Sequence, residues 1–168
     1  MRSRLTIESA KAAVIAAVYA AVTIVLQPIS FGPLQVRISD ALLPLPYIPY
    51  FGFPAVIGLT IGCLLANMVS PYGIIDIVLG TLTNFAAGLF AWSIGKTYYG
   101  KEWAKVLVLI AQILIVTVII GVVLLHIIFA IELEYAVPGV LLGSTISIGV
   151  GGYILLTTIE KRMPRLWK

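Results

Sequence analysis

From Val106 to Ile131 the chain carries no Asp, Glu, Lys or Arg. A helix needs about 20 apolar residues to cross the hydrocarbon core of a bilayer, and this run supplies them without a charge. It belongs to one of six apolar segments, at roughly 9–27, 39–50, 54–69, 74–95, 104–131 and 137–158. With 61% of 168 residues hydrophobic and 11% charged, the chain has too little polar surface for a soluble domain. The apolar runs are continuous rather than alternating, which argues against a closed β-barrel. The expectation is an all-α integral membrane protein, a single transmembrane domain over residues 1–168, multi-pass in the cell membrane and solvated by lipid. The opening MRSRLTIESAKAAVIAAVYAAVTIVL reads as a retained first helix rather than a signal peptide, because the remaining chain is equally apolar. Cys63 is the single cysteine, so no intramolecular disulfide forms.

Charge sets the topology. Six crossings with both termini cytoplasmic place Arg2, Arg4 and Lys11 inside, with Lys96, Lys101 and Lys105 and then Lys161, Arg162, Arg165 and Lys168. That is the distribution the positive-inside rule asks for, and it explains the net charge of +4 without a nucleic-acid partner. Merging the second and third segments would move the three loop lysines outside. The second segment is short and holds Pro44, Pro46 and Pro49, so a kinked helix is expected there. On the outer side Arg37 meets Asp40, Asp76, Glu132 and Glu134. Four acids against one arginine give a local formal charge of −3 if all are ionised.

Two polar islands interrupt the apolar pattern. Gln35, Arg37 and Asp40 lie in SFGPLQVRISDALLPLP (30–46), a half-apolar loop stiffened by Gly32 and Pro33. It is expected to fold back over the helices; the bland alternative is a solvated Arg–Asp pair worth about 1 kcal/mol. The second island is NMVSPYGIIDIVLGTLTN (67–84), where Ser70-Pro71-Tyr72-Gly73 signals a turn. Asp76 then falls about one turn into a helix whose 3.6-residue period puts Gly80, Thr83 and Asn84 on its face. A carboxylate facing lipid is costly, so that face is expected to point inward, for ligand binding or helix packing. Asn67 caps its helix or reads a ligand edge. Glu134 and Glu132 point differently, so at most one faces a site. Tyr72 and Tyr135 stack on a planar ligand or belong to an interfacial aromatic belt.

Gly95-Lys96-Thr97 resembles the end of a phosphate loop, but Phe90 stands where the earlier glycine is required. His126 has no metal-ligand spacing around it, and no catalytic triad or HExxH motif occurs. No enzyme, metal or cofactor is expected. The first segment carries two rows of small residues, Ala12, Ala16 and Ala20 beside Ala13, Ala17 and Ala21. Such rows allow close helix packing in lipid, internally or against another subunit.

SFGPLQVRISDALLPLP followed by GLTIGCLLANMVSPYGIIDIVLGTLTN resembles the QueT family of queuosine-precursor transporters, over roughly residues 10–95. These are similar to the substrate-binding S components of energy-coupling factor (ECF) transporters. The resemblance implies a six-helix bundle with a pocket near the outer face. It implies an alanine-rich first helix that docks a transmembrane T component, and a cytoplasmic ATPase pair. The implied substrate is the aminomethyl-deazaguanine precursor of queuosine or a related deazapurine. The family is expected to carry glutamate more often where this chain has Asp40. From the residues, carboxylates near the outer face suit a cationic ligand with guanine-like donors, since a carboxylate accepts two parallel N–H bonds. The expected site is Gln35, Arg37, Asp40, Asn67, Tyr72, Asp76, Asn84 and Glu134. The competing expectation is a self-sufficient secondary carrier of a small cationic or purine-like solute, proton-linked through Asp76.

Overall fold

A computed structural model describes residues 2–31 and 36–162. Among these residues the secondary structure is helical throughout. The long helices are α1 (Arg2–Val25), α2 (Gly52–Asn67), α3 (Gly73–Tyr98), α4 (Glu102–Ile128) and α5 (Leu133–Arg162). Helices α1, α3, α4 and α5 are long and apolar enough to cross a membrane, whereas α2 is apolar but only 16 residues long.

Helices α1 and α2 run side by side in the same direction. Gly58 lies against Ala12 and Ile15, and Gly62, one turn on, against Ala16 and Tyr19. A Cβ at Gly62 would sit 2.9 Å from the Ala16 carbonyl oxygen, so a side chain there would force the helices apart. In lipid, backbone approach through small residues supplies much of the association between helices. Ala16 and Ala20 are accordingly buried. This corrects one expectation: Ala12, Ala16 and Ala20 form the row that packs inward, and only Ala13, Ala17 and Ala21 stay exposed. Helix α3 is antiparallel to α2, with Gly80 beside Asn67, Gly88 beside Val56 and Trp92 beside Gly52. Helices α4 and α5 form an antiparallel hairpin, with Gly121 against Ala136 and Val140 and Lys105 bonded to Glu160.

Because α1 and α2 are parallel, the chain between them must return along the bundle. It does so without the continuous kinked helix expected over 39–50. Two 3₁₀ turns, Ile38–Leu42 and Leu45–Tyr47, take its place. The cause is proline: Pro44, Pro46 and Pro49 have no N–H, so an α-helical ladder cannot propagate. The remaining amides of Leu43, Tyr47, Ile48 and Phe51 donate three residues back, to the carbonyls of Asp40, Pro44, Leu45 and Ile48, each at 3.0 Å. Leu43, Tyr47 and Ile48 are wholly buried. Gln112 of α4 donates to the Leu43 and Ala87 carbonyls at 2.9 and 3.0 Å. The Tyr47 hydroxyl lies 3.3 and 3.2 Å from the Tyr98 and Lys101 carbonyls and shares its proton between them. Non-helical backbone is tolerated at membrane depth only where protein surrounds and satisfies it, and these partners do both.

The bundle has two chemically different ends. At one, Lys11 donates to the Tyr50 carbonyl at 2.8 Å, and Lys105 pairs with Glu102 at 2.9 Å and Glu160 at 2.6 Å. Burial, helped by the nearby Glu160, pushes the Tyr99 phenol there up to about 12. At the other end, Gln27 donates to the Val69 carbonyl at 3.1 Å, and the Tyr72 ring meets Phe129 with centroids 5.3 Å apart.

Candidate binding site

The return segment carries Arg37 and Asp40 into the bundle, not onto a solvated loop. They are 7% and 6% exposed. Among the described residues they are not joined by an ion pair, although they are three positions apart in sequence. Both line one narrow cleft. Gly80, Thr83 and Asn84 of α3 form a second wall, Val116 and Ile120 of α4 a third, and Val140 and Ser144 of α5 a fourth. As it stands the cleft has room for about one water molecule. At the cleft, α4 and α5 widen into π-type turns, over Thr117–Ile128, which includes the wall residue Ile120, and over Thr145–Gly152, which follows Ser144. Runs of such turns are rare, and they are often found at functional sites.

Each charged group is held differently. The Tyr19 hydroxyl donates to Asp40 Oδ1 at 2.5 Å, and Thr23, one turn further along α1, shares a hydrogen bond with Ser39 at 2.6 Å. Arg37 Nη1 donates to Cys63 Sγ at 3.8 Å, and its guanidinium carbon lies 5.2 Å from the Phe31 ring centroid. A guanidinium has five N–H donors, and among the described residues Cys63 is the hydrogen-bond acceptor that Arg37 meets.

The face predicted on α3 is buried as a unit: Asp76, Gly80, Thr83 and Asn84. Only its lower part lines the cleft. Asn84 Nδ2 donates to the Leu59 carbonyl at 3.3 Å, which leaves its amide oxygen as an acceptor. Asp76, a turn above Gly80, is engaged elsewhere. Ser70 Oγ donates to Asp76 Oδ2 at 2.5 Å, and Asn67 Nδ2 donates to the Asp76 carbonyl at 3.0 Å. Together they pin the α2–α3 turn. Gly80 is required by this clamp, because a Cβ there would collide with the Asn67 amide. Asn67 Oδ1 is buried without a partner among the described residues.

The other expected site residues are not gathered here. Tyr72 packs at a tilt against Phe129 at the outer end and does not line the cleft. Glu134 is exposed and, with Glu132 and His126, lines a separate outer groove. Gln35 lies outside the described residues. Among the described residues the buried charged set at this end is Arg37, Asp40 and Asp76, a formal −1, while Glu132 and Glu134 lie exposed at the outer groove. Tyr19, Thr23, Ser39, Cys63 and Ser144 are polar participants that sequence reasoning missed. Ser39 stands within the first polar island, beside Asp40; the other four sit inside apolar or alanine-rich helical runs, where no spacing pattern separates them from packing residues.

A queuosine precursor transporter, QueT, of Lactococcus lactis subsp. cremoris (strain MG1363) is 31% identical over 86 residues. The match covers 50% of this chain and 48% of that protein, so about half the length of the curated relative is matched. No solved structure matches. The family model described as QueT transporter matches residues 9–161, from the early turns of α1 to the last turn of α5 and through every wall of the cleft. With that match across nearly the whole helical bundle, the chain belongs to the QueT transporter family, and its long apolar helices are those of a multi-pass membrane protein.

Proposed function

We propose that this protein is the substrate-binding membrane subunit, or S component, of an ATP-driven ECF-type transporter that takes up a queuosine precursor. The substrate is aminomethyl-deazaguanine or a closely related deazapurine. The observation that carries this function is a buried guanidinium and a buried carboxylate that line one cleft without pairing with each other. Unpaired buried charges are costly, and a ligand carrying both acceptors and cationic or N–H donors relieves both at once. A deazaguanine offers a carbonyl to Arg37 and donors to Asp40, with Asn84 as a further edge reader. The Asp76–Asn67 clamp belongs to the same outer region, with Tyr72 and Glu134 at its rim, and Gln35 is proposed as a further contact from its place in the sequence alone. A base-sized ligand requires the walls to separate, and the π-type turns of α4 and α5 are suited to change register.

The proposed topology is six crossings with both termini cytoplasmic, the 36–51 return segment counting as the second. It is supported by the collection of Lys11, Lys96, Lys101, Lys105, Lys161 and Arg162 at one end of the bundle. That end faces the cytoplasm by the positive-inside rule, and the cleft then opens toward the outside. The exposed Ala13, Ala17 and Ala21 row is the proposed docking face for a T component, which couples the subunit to a cytoplasmic ATPase pair.

A thermal-shift screen of the purified chain against deazapurines and unrelated vitamins tests the proposal. A ligand at about 100 times its dissociation constant adds about 2.7 kcal/mol of stability. Stabilisation by aminomethyl-deazaguanine alone or most strongly is expected. Equal response to all compounds, or proton-driven uptake by this chain alone in liposomes, overturns it.

A further inference from the structure

We propose that Tyr19 is the positioning residue of the cleft: its hydroxyl fixes the Asp40 carboxylate in the orientation that receives the ligand's donor. The inference rests on the binding role proposed for Asp40 and adds a residue outside the cleft wall.

Tyr19 is wholly buried on the inward face of α1, and its hydroxyl is bonded to Asp40 Oδ1. It does not line the cleft itself. Asp40 sits in a 3₁₀ turn, a conformation with poorer hydrogen-bond geometry than an α-helix. Left alone, its side chain would sample several rotamers. Arg37, the nearest candidate in sequence, does not form an ion pair with it. The orientation must then come from across the bundle. Tyr19 and Thr23 are four residues apart and so share one helix face. They grip consecutive residues, with Thr23 bonded to Ser39 and Tyr19 to Asp40. Thr23 Oγ1 also donates back to the Tyr19 carbonyl at 2.9 Å, and Ser30 Oγ donates to the Thr23 carbonyl at 3.2 Å. The grip is therefore anchored within α1 and its C-terminal extension. A carboxylate held this way loses less freedom when a ligand binds, which is the general benefit of preorganisation.

The test is a double-mutant cycle on the purified full chain. Binding of aminomethyl-deazaguanine is measured for the wild type, Tyr19→Phe, Asp40→Ala and the double variant. Tyr19→Phe removes only the hydroxyl. It is expected to weaken binding about tenfold, while in the Asp40→Ala background it should add nothing, because no carboxylate remains to be positioned. A residue that merely packs would cost the same in both backgrounds. Additive losses, or unchanged affinity in Tyr19→Phe, overturn the assignment and leave the binding role of Asp40 standing. Absence of binding by the wild type overturns the proposed function and this inference with it. Should Tyr19→Phe fail to fold, Thr23→Val takes its place. A loss confined to the background that retains Asp40 supports the positioning role of this α1 face, and an equal loss in both rejects it.

Discussion

At the scale of single residues, the cleft separates groups that hold the fold from groups left free for a ligand. Asp40 and Arg37 are proposed to belong to the second kind, because each lines the cleft in addition to the one contact that holds it. Asp40→Asn is expected to weaken deazapurine binding roughly ten- to a hundred-fold, the range for losing a hydrogen bond to a charged group; calorimetric titration checks it. Asp76 belongs to the first kind, since it does not line the cleft and its carboxylate accepts from Ser70 in the α2–α3 turn. An asparagine keeps an acceptor oxygen there, so Asp76→Asn should cost far less affinity than Asp40→Asn. The reverse order in the same titrations would move the ligand's acid up to the α2–α3 turn. Gly80→Ala drives a methyl into the Asn67 amide and should destabilise the protein by about 1–3 kcal/mol, read as a lowered melting temperature. The α3 face was legible in the sequence because a 3.6-residue period predicts which side chains share it. The Tyr19–Asp40 and Thr23–Ser39 contacts were not, because their partners lie 21 and 16 residues apart and no local pattern links them.

At the scale of elements, the return segment sets the architecture. Three prolines announced that residues 39–50 could not be an ordinary helix, and a kink was the natural expectation. What replaces it depends on outside partners that sequence spacing does not reveal. Gln112 is the main one, capping carbonyls of the return segment and of α3 from within α4. Gln112→Leu removes both donors while keeping the volume similar. The buried Leu43 carbonyl should then cost about 1–3 kcal/mol where nothing replaces the donor, while the Ala87 carbonyl keeps its intrahelical partner within α3. Thermal unfolding in detergent or bilayer checks this, and an unchanged melting temperature would mean that another donor takes over. The long helices were legible from uninterrupted hydropathy, and their ends from glycine and proline. The small-residue rows on α1 were also legible, but their assignment was not. Which row faces inward depends on where Gly58 and Gly62 of α2 meet it.

At the scale of the whole molecule, α1 has two working sides. Its inward side holds Asp40 through Tyr19, and its outward side shows Ala13, Ala17 and Ala21 to the membrane. Ala13→Leu with Ala17→Leu adds bulk only on the outward side. Ligand-induced stabilisation should survive in this double variant, while co-purification with a T component and ATPases is lost and uptake stops. Normal assembly would place the docking surface elsewhere. The central claim is narrower, that Arg37 and Asp40, which line one cleft without an ion pair between them, form the recognition centre for a deazapurine. Equilibrium titration of aminomethyl-deazaguanine into the purified wild type and the Asp40→Asn and Arg37→Gln variants tests it most directly. The predicted result is saturable binding by the wild type and at least tenfold weaker binding by each variant, all three remaining folded. Saturable binding of equal strength in all three would contradict it.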